Sequence, residues 1–317
     1  MRDQYGREIR YMRLSVTDRC NLRCRYCMPE EGVCKKLHGD MLTEDEMIMA
    51  VEAAASLGIT KLRITGGEPL VKRNIVSLCA RAARTPGIGE VCLTTNGILL
   101  PKLAKGLRAA GVTRVNLSLD TLDPEKYARI TRVGTLDSAW AGFQAALEAG
   151  FEKIKLNVVL IGGFNDDEIG RLAALTVAYP VDVRFIELMP MVDSREFGEE
   201  AFLPCAAVLR RLPDAQPVAH DGGVARLYRL PGAQGNIGLI SPVSDHFCAA
   251  CNRIRLTADG KLKPCLHSAE EISIKGLTKE AMRETMQRAI YRKPSCHAEL
   301  SATQHSQAVR SMNQIGG

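Results

Sequence analysis

Residues 11–27, YMRLSVTDRCNLRCRYC, run from an alternating stretch directly into three cysteines. In the first half, Met12, Leu14 and Val16 take one side while Arg13 and Ser15 take the other, the period-two pattern of a strand. In the second half Cys20, Cys24 and Cys27 follow as C-x3-C-x2-C. Parallel α/β folds build their sites where strands end. A strand that delivers thiols at its carboxyl end is therefore a site-bearing first strand. Metal sites made only of cysteine usually take four thiolates, and this one stops at three.

The same strand pattern recurs. Strands are predicted near Tyr11–Thr17, Lys61–Thr65, Glu90–Thr94, Arg114–Leu119, Lys153–Leu160 and Asp182–Leu188. Helical patterns lie between them, at Thr43–Leu57, Ile75–Arg84, Lys102–Ala110, Leu136–Ala149 and Asp166–Ala178. Thr43 followed by Glu46 reads as a capping box, and Gly58, Gly111 and Gly150 stand where helices stop. Repeated β-α units imply a parallel sheet with right-handed crossovers. Six such units are too few to close an eight-fold barrel, so either an open, partial barrel or a doubly wound sheet is expected.

The alternation has a chemical consequence. In Lys61-Leu62-Arg63-Ile64-Thr65 the apolar residues face one way and Arg63 and Thr65 the other. The polar side then collects Arg13, Ser15, Thr94, Asn116, Ser118, Asp120, Lys155, Asn157 and Arg184. The apolar side must pack on helices, so the polar side looks into the barrel. Buried, unpaired charges are too costly for a dry core. Two readings remain. The lumen is wet and holds a strongly anionic ligand, or its cations pair with Asp and Glu.

Beyond about Arg195 the regular alternation gives way to Pro- and Gly-rich segments, read as a separate C-terminal layer on the barrel. The expected division is a barrel domain over 1–225 and a C-terminal region over 226–317. The 317 residues carry 42 Lys plus Arg against 36 Asp plus Glu. That mild excess fits an anionic ligand. No basic stripe interleaved with aromatics argues for nucleic acid. No apolar run is long enough for a bilayer and the start reads as no signal peptide, so a cytoplasmic protein without a membrane role is expected. Of eleven cysteines, Cys34, Cys79, Cys92, Cys205 and Cys296 are scattered and read as ordinary buried or surface thiols.

The remaining three form a second cluster, Cys248, Cys251 and Cys265, with Asn252-Arg253-Ile254-Arg255 between. A zinc knuckle completed by His246 or His267 is one reading of it. An iron–sulfur cluster with an open iron beside two arginines is the other. For the first cluster, three close thiolates suit a [4Fe–4S] cube whose fourth iron takes a non-protein ligand. Cys34 could still close that site.

The C-x3-C-x2-C run with Tyr26 inside it, together with Thr65-Gly66-Gly67-Glu68-Pro69 after the second strand, resembles the radical S-adenosylmethionine (SAM) superfamily. The wider pattern resembles the GTP 3′,8-cyclase family of molybdenum cofactor biosynthesis. It includes Leu14–Cys20, Arg63–Pro69, Thr94-Thr95-Asn96-Gly97, Phe185–Pro190, Cys248–Arg255, Pro264-Cys265-Leu266 and the ending Met312–Gly317.

That resemblance implies a partial (β/α)6 TIM-type barrel with the C-terminal region covering its open side. It implies a lyase with two [4Fe–4S] clusters that binds SAM and GTP and forms (8S)-3′,8-cyclo-7,8-dihydroguanosine 5′-triphosphate. Cys20, Cys24 and Cys27 would hold the SAM cluster, and Cys248, Cys251 and Cys265 the second. Tyr26, Gly67, Ser118 and Met189 would contact SAM. Arg13, Arg63, Thr94, Lys155, Arg184, Arg253 and Arg255 would bind GTP. The Gly316-Gly317 tail, which composition alone reads as frayed chain, would reach into the active site. A flavodoxin- or ferredoxin-type electron donor and a downstream cyclic pyranopterin monophosphate synthase are the implied partners, and a homodimer is a candidate assembly. The rival readings are a peptide-modifying radical SAM enzyme with an auxiliary cluster, and a zinc-dependent nucleic-acid-binding module.

Overall fold

The computed structural model describes residues 1–33, 36–219, 222–301 and 303–316. Six parallel strands form its centre: β1 Tyr11–Ser15, β2 Lys61–Thr65, β3 Glu90–Thr95, β4 Val112–Ser118, β5 Lys153–Leu160 and β6 Val181–Glu187. They pair in sequence order. Helices α1 Glu44–Ser56, α2 Ile75–Ala83, α3 Leu100–Ala109, α4 Pro124–Thr131, α5 Leu136–Glu148 and α6 Ile169–Ala178 lie in the crossovers. The predicted capping box on α1 is present, with Thr43 and Glu46 each bonded to the other's backbone N–H.

One helix was not anticipated. The β4–β5 crossover carries α4 as well as α5. The sequence held its signal, since Asp123 accepts from Glu125 and Lys126 N–H and Pro124 fills the first turn.

The C-terminal region adds its strands to the barrel's own sheet. Its strands β7 Gln216–Pro217, β8 Arg226–Arg229, β9 Ile237–Ile240, β10 Arg253–Leu256, β11 Lys261–Lys263 and β12 Ile272–Ser273 all join the same sheet. The order is β12-β11-β10-β1-β2-β3-β4-β5-β6-β9-β8-β7. Strand β9 extends the barrel parallel to β6, and β10 extends it parallel to β1. These strands are four residues each, too short and too interrupted by Pro and Gly for a β-α repeat to be read from pattern. The sheet stays open. Helices α7 Ala206–Arg211, α8 Lys279–Tyr291 and α9 Met312–Ile315 complete the region, with α8 packing on α1.

The apolar faces of the strands do pack outward on the helices. Met12, Leu14, Leu62, Ile64, Leu93, Val115, Leu156, Val183 and Ile254 are all fully or almost fully buried in one continuous core. That burial, about 1.5–3 kcal/mol per large side chain, fixes the register, because a one-residue slip would send every one of them into the lumen. Among the described residues, no helix is long and apolar enough to cross a membrane.

Candidate active site

Register places the polar residues as one band across the sheet. Arg13 sits beside Arg255 on one side and Arg63 on the other. Further along, Thr94, Asn116, Lys155 and Asp182 are consecutive partners. One step toward the carboxyl end, Ser118, Asn157, Arg184 and Gly238 follow the same way.

The basic end of this band is organised around a phenol that sequence reasoning did not single out. Tyr11 pairs with Arg253 and Lys61 in register. Its hydroxyl accepts from Arg63 Nε at 2.5 Å. The guanidiniums of Arg63 and Arg253 lie 6.0 and 5.7 Å from its ring centre. Arg63 also donates to the Leu93 carbonyl at 3.1 Å and to Thr94 Oγ1 at 3.3 Å. Burial alone would raise the Tyr11 pKa, but Arg63, Arg13 and Arg253 outweigh it and bring it down to about 8. Burial and then Arg253 bring Arg255 down to about 10, and Arg13 is pulled down by burial and Arg255. Cations crowded until they weaken one another's charge are poised for an anion.

Lys155 answers the question of pairing in part. Its ammonium lies 3.5 Å from Asp182, which Lys153 holds more tightly at 2.7 Å. Beside it, the side-chain oxygens of Asn116 and Asn157 are buried with no hydrogen-bond partner, as is Arg253 Nε. Buried polar atoms are rarely left so. They are groups waiting for a polar ligand.

The first cysteine loop leaves the carboxyl end of β1. Cys20, Cys24 and Cys27 are free and partly buried. Burial pushes all three thiols up, Cys20 to about 11, and each of Cys24 and Cys27 is pushed further by neighbouring thiolates. Backbone N–H groups meet the sulfurs, that of Leu22 reaching Cys20 Sγ at 3.3 Å. Among the described residues, no three His, Cys, Asp or Glu side chains could hold a single metal ion. Three thiolates on one short loop are the donor set of a [4Fe–4S] cube with one iron left to a non-protein ligand. Cys34 lies outside the described residues. Tyr26 OH donates to Asp120 Oδ2 at 2.6 Å, and Asp120 Oδ1 accepts from Val159 N–H.

The turn after β2 presses on that loop. A side chain on Gly67 would stand 2.4 Å from the Arg19 carbonyl oxygen, and one on Gly66 would stand 2.7 Å from that of Thr17. The glycines here admit the entry to the cysteine loop, a reason additional to the expected approach of SAM. Glu68 then locks the turn to β3, accepting from Leu70 N–H, Thr95 Oγ1 and Asn96 N–H.

The C-terminal tail is ordered against both elements. Ser311 and Gln314 cap α9. Asn313 donates from Nδ2 to the Asp18 carbonyl at 2.9 Å, and its backbone N–H reaches Cys27 Sγ. Ile315 packs with Met191 and Met189. Gly316, at φ +89°, leaves 2.4 Å between a would-be Cβ and Thr65 Oγ1. Gly317 lies outside the described residues.

Cys248 and Cys251 both precede β10, and Cys265 follows β11. The thiols of Cys251 and Cys265 both act on the buried Arg255, which joins this triad to the basic band. His267 does not stand free as a ligand. It is buried, hydrogen-bonded to Ser306 Oγ at 3.1 Å and in edge contact with His297 at 4.9 Å, while His246 meets His297 at 5.4 Å. Burial and His297 bring the His267 pKa down to about 3. Among the scattered cysteines, Cys79, Cys92 and Cys205 are buried and Cys296 is exposed, as expected.

An open parallel barrel whose first strand runs into three thiols, backed by a glycine turn, is the architecture of a radical SAM protein. Residues 14–176 match the model of the Radical SAM superfamily, and residues 181–299 match that of Molybdenum Cofactor Synthesis C. The chain is 48% identical over 321 residues to the GTP 3′,8-cyclase of Alkaliphilus oremlandii and 47% identical over 321 residues to that of Alkaliphilus metalliredigens, covering 100% of each chain in both. Its fold is similar to that of Streptococcus suis SuiB, with a TM-score of 0.64 at 14% identity over 90% of this chain and 66% of that one. The chain belongs to the GTP 3′,8-cyclase family.

Proposed function

We propose that this protein converts GTP to (8S)-3′,8-cyclo-7,8-dihydroguanosine 5′-triphosphate, the first step of molybdenum cofactor biosynthesis. The observation that carries the reading is the continuous basic band between the two cysteine triads. Arg13, Arg63 and Arg255 are adjacent in register, with Arg253 and Lys155 on the same face. A triphosphate brings about four negative charges, which guanidiniums bind bidentately. A peptide substrate has no use for such a wall.

Cys20, Cys24 and Cys27 would hold one [4Fe–4S] cluster, and Cys248, Cys251 and Cys265 the other. When bound, the first cluster and SAM supply the one-electron cleavage that starts the reaction. The rest falls to the chain's own groups. Tyr26, Gly67, Ser118 and Met189 orient SAM beside the first triad. Arg13, Arg63, Thr94, Lys155, Arg184, Arg253 and Arg255 orient GTP and neutralise its phosphates. Gly316 and Gly317 bring the tail to the reacting centre and exclude water from it. An electron donor of flavodoxin or ferredoxin type would serve the clusters, and a cyclic pyranopterin monophosphate synthase would take the product. A cytoplasmic setting and a homodimer belong to the same reading.

The test is anaerobic incubation with GTP, SAM and a low-potential reductant. 5′-Deoxyadenosine should form faster with GTP than without, alongside the cyclised nucleotide. Equal rates would remove GTP as substrate. About two zinc and no labile sulfide per chain would remove the cluster chemistry altogether.

A further inference from the structure

Arg132 is the only non-glycine residue with a positive φ, +64°, among the described residues. It caps α4 with a backbone, φ +64° and ψ −38°, that L-residues rarely adopt. An L-residue held there is strained, and such strain persists where the surroundings impose it. The surroundings here are the first cysteine loop. Arg132 Nη1 donates to the Arg23 carbonyl at 2.9 Å and to the Met28 carbonyl at 3.2 Å. The two residues before it continue the contact, since Arg23 N–H donates to the Thr131 carbonyl and Arg25 N–H to that of Ile130, both at 3.0 Å.

A second guanidinium does the same from within the loop. Arg23 Nη1 donates to the carbonyls of Cys20 and Leu22, both at 2.8 Å. So the loop's carbonyls are drawn outward onto cations. At Cys20 and Arg23 the rigid peptide plane then turns the following N–H groups, those of Asn21 and Cys24, the other way. Those two groups lower the thiols they face, and the Leu22 N–H adds a contact of its own. The N–H groups of Asn21 and Leu22 meet Cys20 Sγ, and that of Cys24 meets its own sulfur.

We propose that Arg132 is a positioning residue for the first cluster: its strained backbone and forked guanidinium hold the Cys20–Met28 loop with thiols and N–H groups facing the metal site. Arg132 touches neither substrate nor SAM in this role. The inference rests on the reading that the first triad carries a [4Fe–4S] cluster.

The test isolates each triad. In the full chain with Cys248, Cys251 and Cys265 changed to Ala, the parent should reconstitute one cluster by iron and sulfide analysis. If it binds none, the cluster reading fails, and the proposal fails with it. Given a loaded parent, Arg132→Gly and Arg132→Lys should release iron to a chelator about ten- to a hundred-fold faster, the usual effect of losing an outer-shell partner. The cluster's midpoint potential should also fall, because N–H donors to sulfur raise it. Lysine should not rescue, since a single ammonium cannot hold the two loop carbonyls and also reach Glu196, as Nη1 and Nη2 do together.

Glycine removes the strain as well as the clamp, so metal-free Arg132→Gly should melt no lower than its parent. A lower melting temperature would overturn the proposal, because the side chain would then hold the fold at large. Unchanged iron release and potential would overturn it too. So would equally fast release from the second triad in a chain with Cys20, Cys24 and Cys27 changed to Ala.

Discussion

Arg255 Nη1 donates to the carbonyl oxygen of Gly316 at 2.6 Å. Arg255 is buried, stands in register with Arg13, and senses two thiols of the second triad. One side chain therefore joins the tail, the basic band and the auxiliary site. Truncation of Gly316 and Gly317 should abolish cyclisation while thermal unfolding and iron content stay as in the full chain. Gly316→Ala should act in the same direction, because the left-handed backbone and the approach of Thr65 both reject a Cβ. Full activity in the truncated chain would mean the tail is incidental.

The basic band predicts a binding defect separate from assembly. Lys155→Ala and Arg184→Ala should each weaken GTP binding by about 1.5–3 kcal/mol, the range for a lost charged hydrogen bond. Cluster absorbance should be retained in both. Loss of absorbance would mark the residue as structural. In Lys155→Ala the buried Asp182 keeps Lys153, so the fold should tolerate the change.

Tyr11 gives the site a pH dependence with a defined sign. Its pKa is lowered to about 8 because Arg63, Arg13 and Arg253 outweigh burial. Below that pH the phenol is neutral. Above it a phenolate forms inside an anion site and repels the phosphates. The apparent affinity for GTP should weaken between pH 7 and about 9, as read by equilibrium binding. Tyr11→Phe should flatten that limb, and a limb of unchanged steepness in the variant would assign it to another group.

Asp259 makes a prediction for stability. It accepts from Thr257 Oγ1 and Arg310, pairs with Lys36, and has its pKa brought down to about 2, these partners outweighing burial. A depressed carboxyl stabilises the fold above its unfolded value of 3.8 and loses that contribution as pH falls toward 2. Asp259→Asn should therefore lower stability by about 1–2 kcal/mol at pH 7 after allowance for solvent screening. The gap should close below pH 3, as measured by unfolding of the metal-free chain. Arg310 also forks onto Glu271, both contacts at 2.7 Å, so Arg310→Ala should cost at least as much and loosen the tail.

Alternation in strands of five to eight residues was enough to read the barrel's polarity. Arg13, Arg63, Thr94, Asn116, Lys155 and Arg184 share a face because period two leaves no other option once Met12, Leu62 and Val183 are buried. The cysteine loop was legible for a similar reason, since its spacing is local. What lay beyond reach was non-local. No pattern says that β10 pairs with β1, or that Arg255 reaches the tail. Tyr11 looked apolar in composition, and only its cationic neighbours in space give it a role. Helix α4 is a different case, because Asp123-Pro124 announced it. Arg132 gave no sign at all, for arginine after a helix ordinarily faces water.

The two strands that bring Arg13 and Arg255 together stand at opposite ends of the chain's synthesis. Strand β1 is made among the first residues, and its outer neighbour β10 only after residue 252. At about 5–20 residues per second, the nascent barrel waits many seconds with one edge bare and its anion pocket half built. Pairing across so long a loop is intrinsically slow. Competence to bind nucleotide therefore arrives late, as a property of the finished chain and not of the barrel that precedes it.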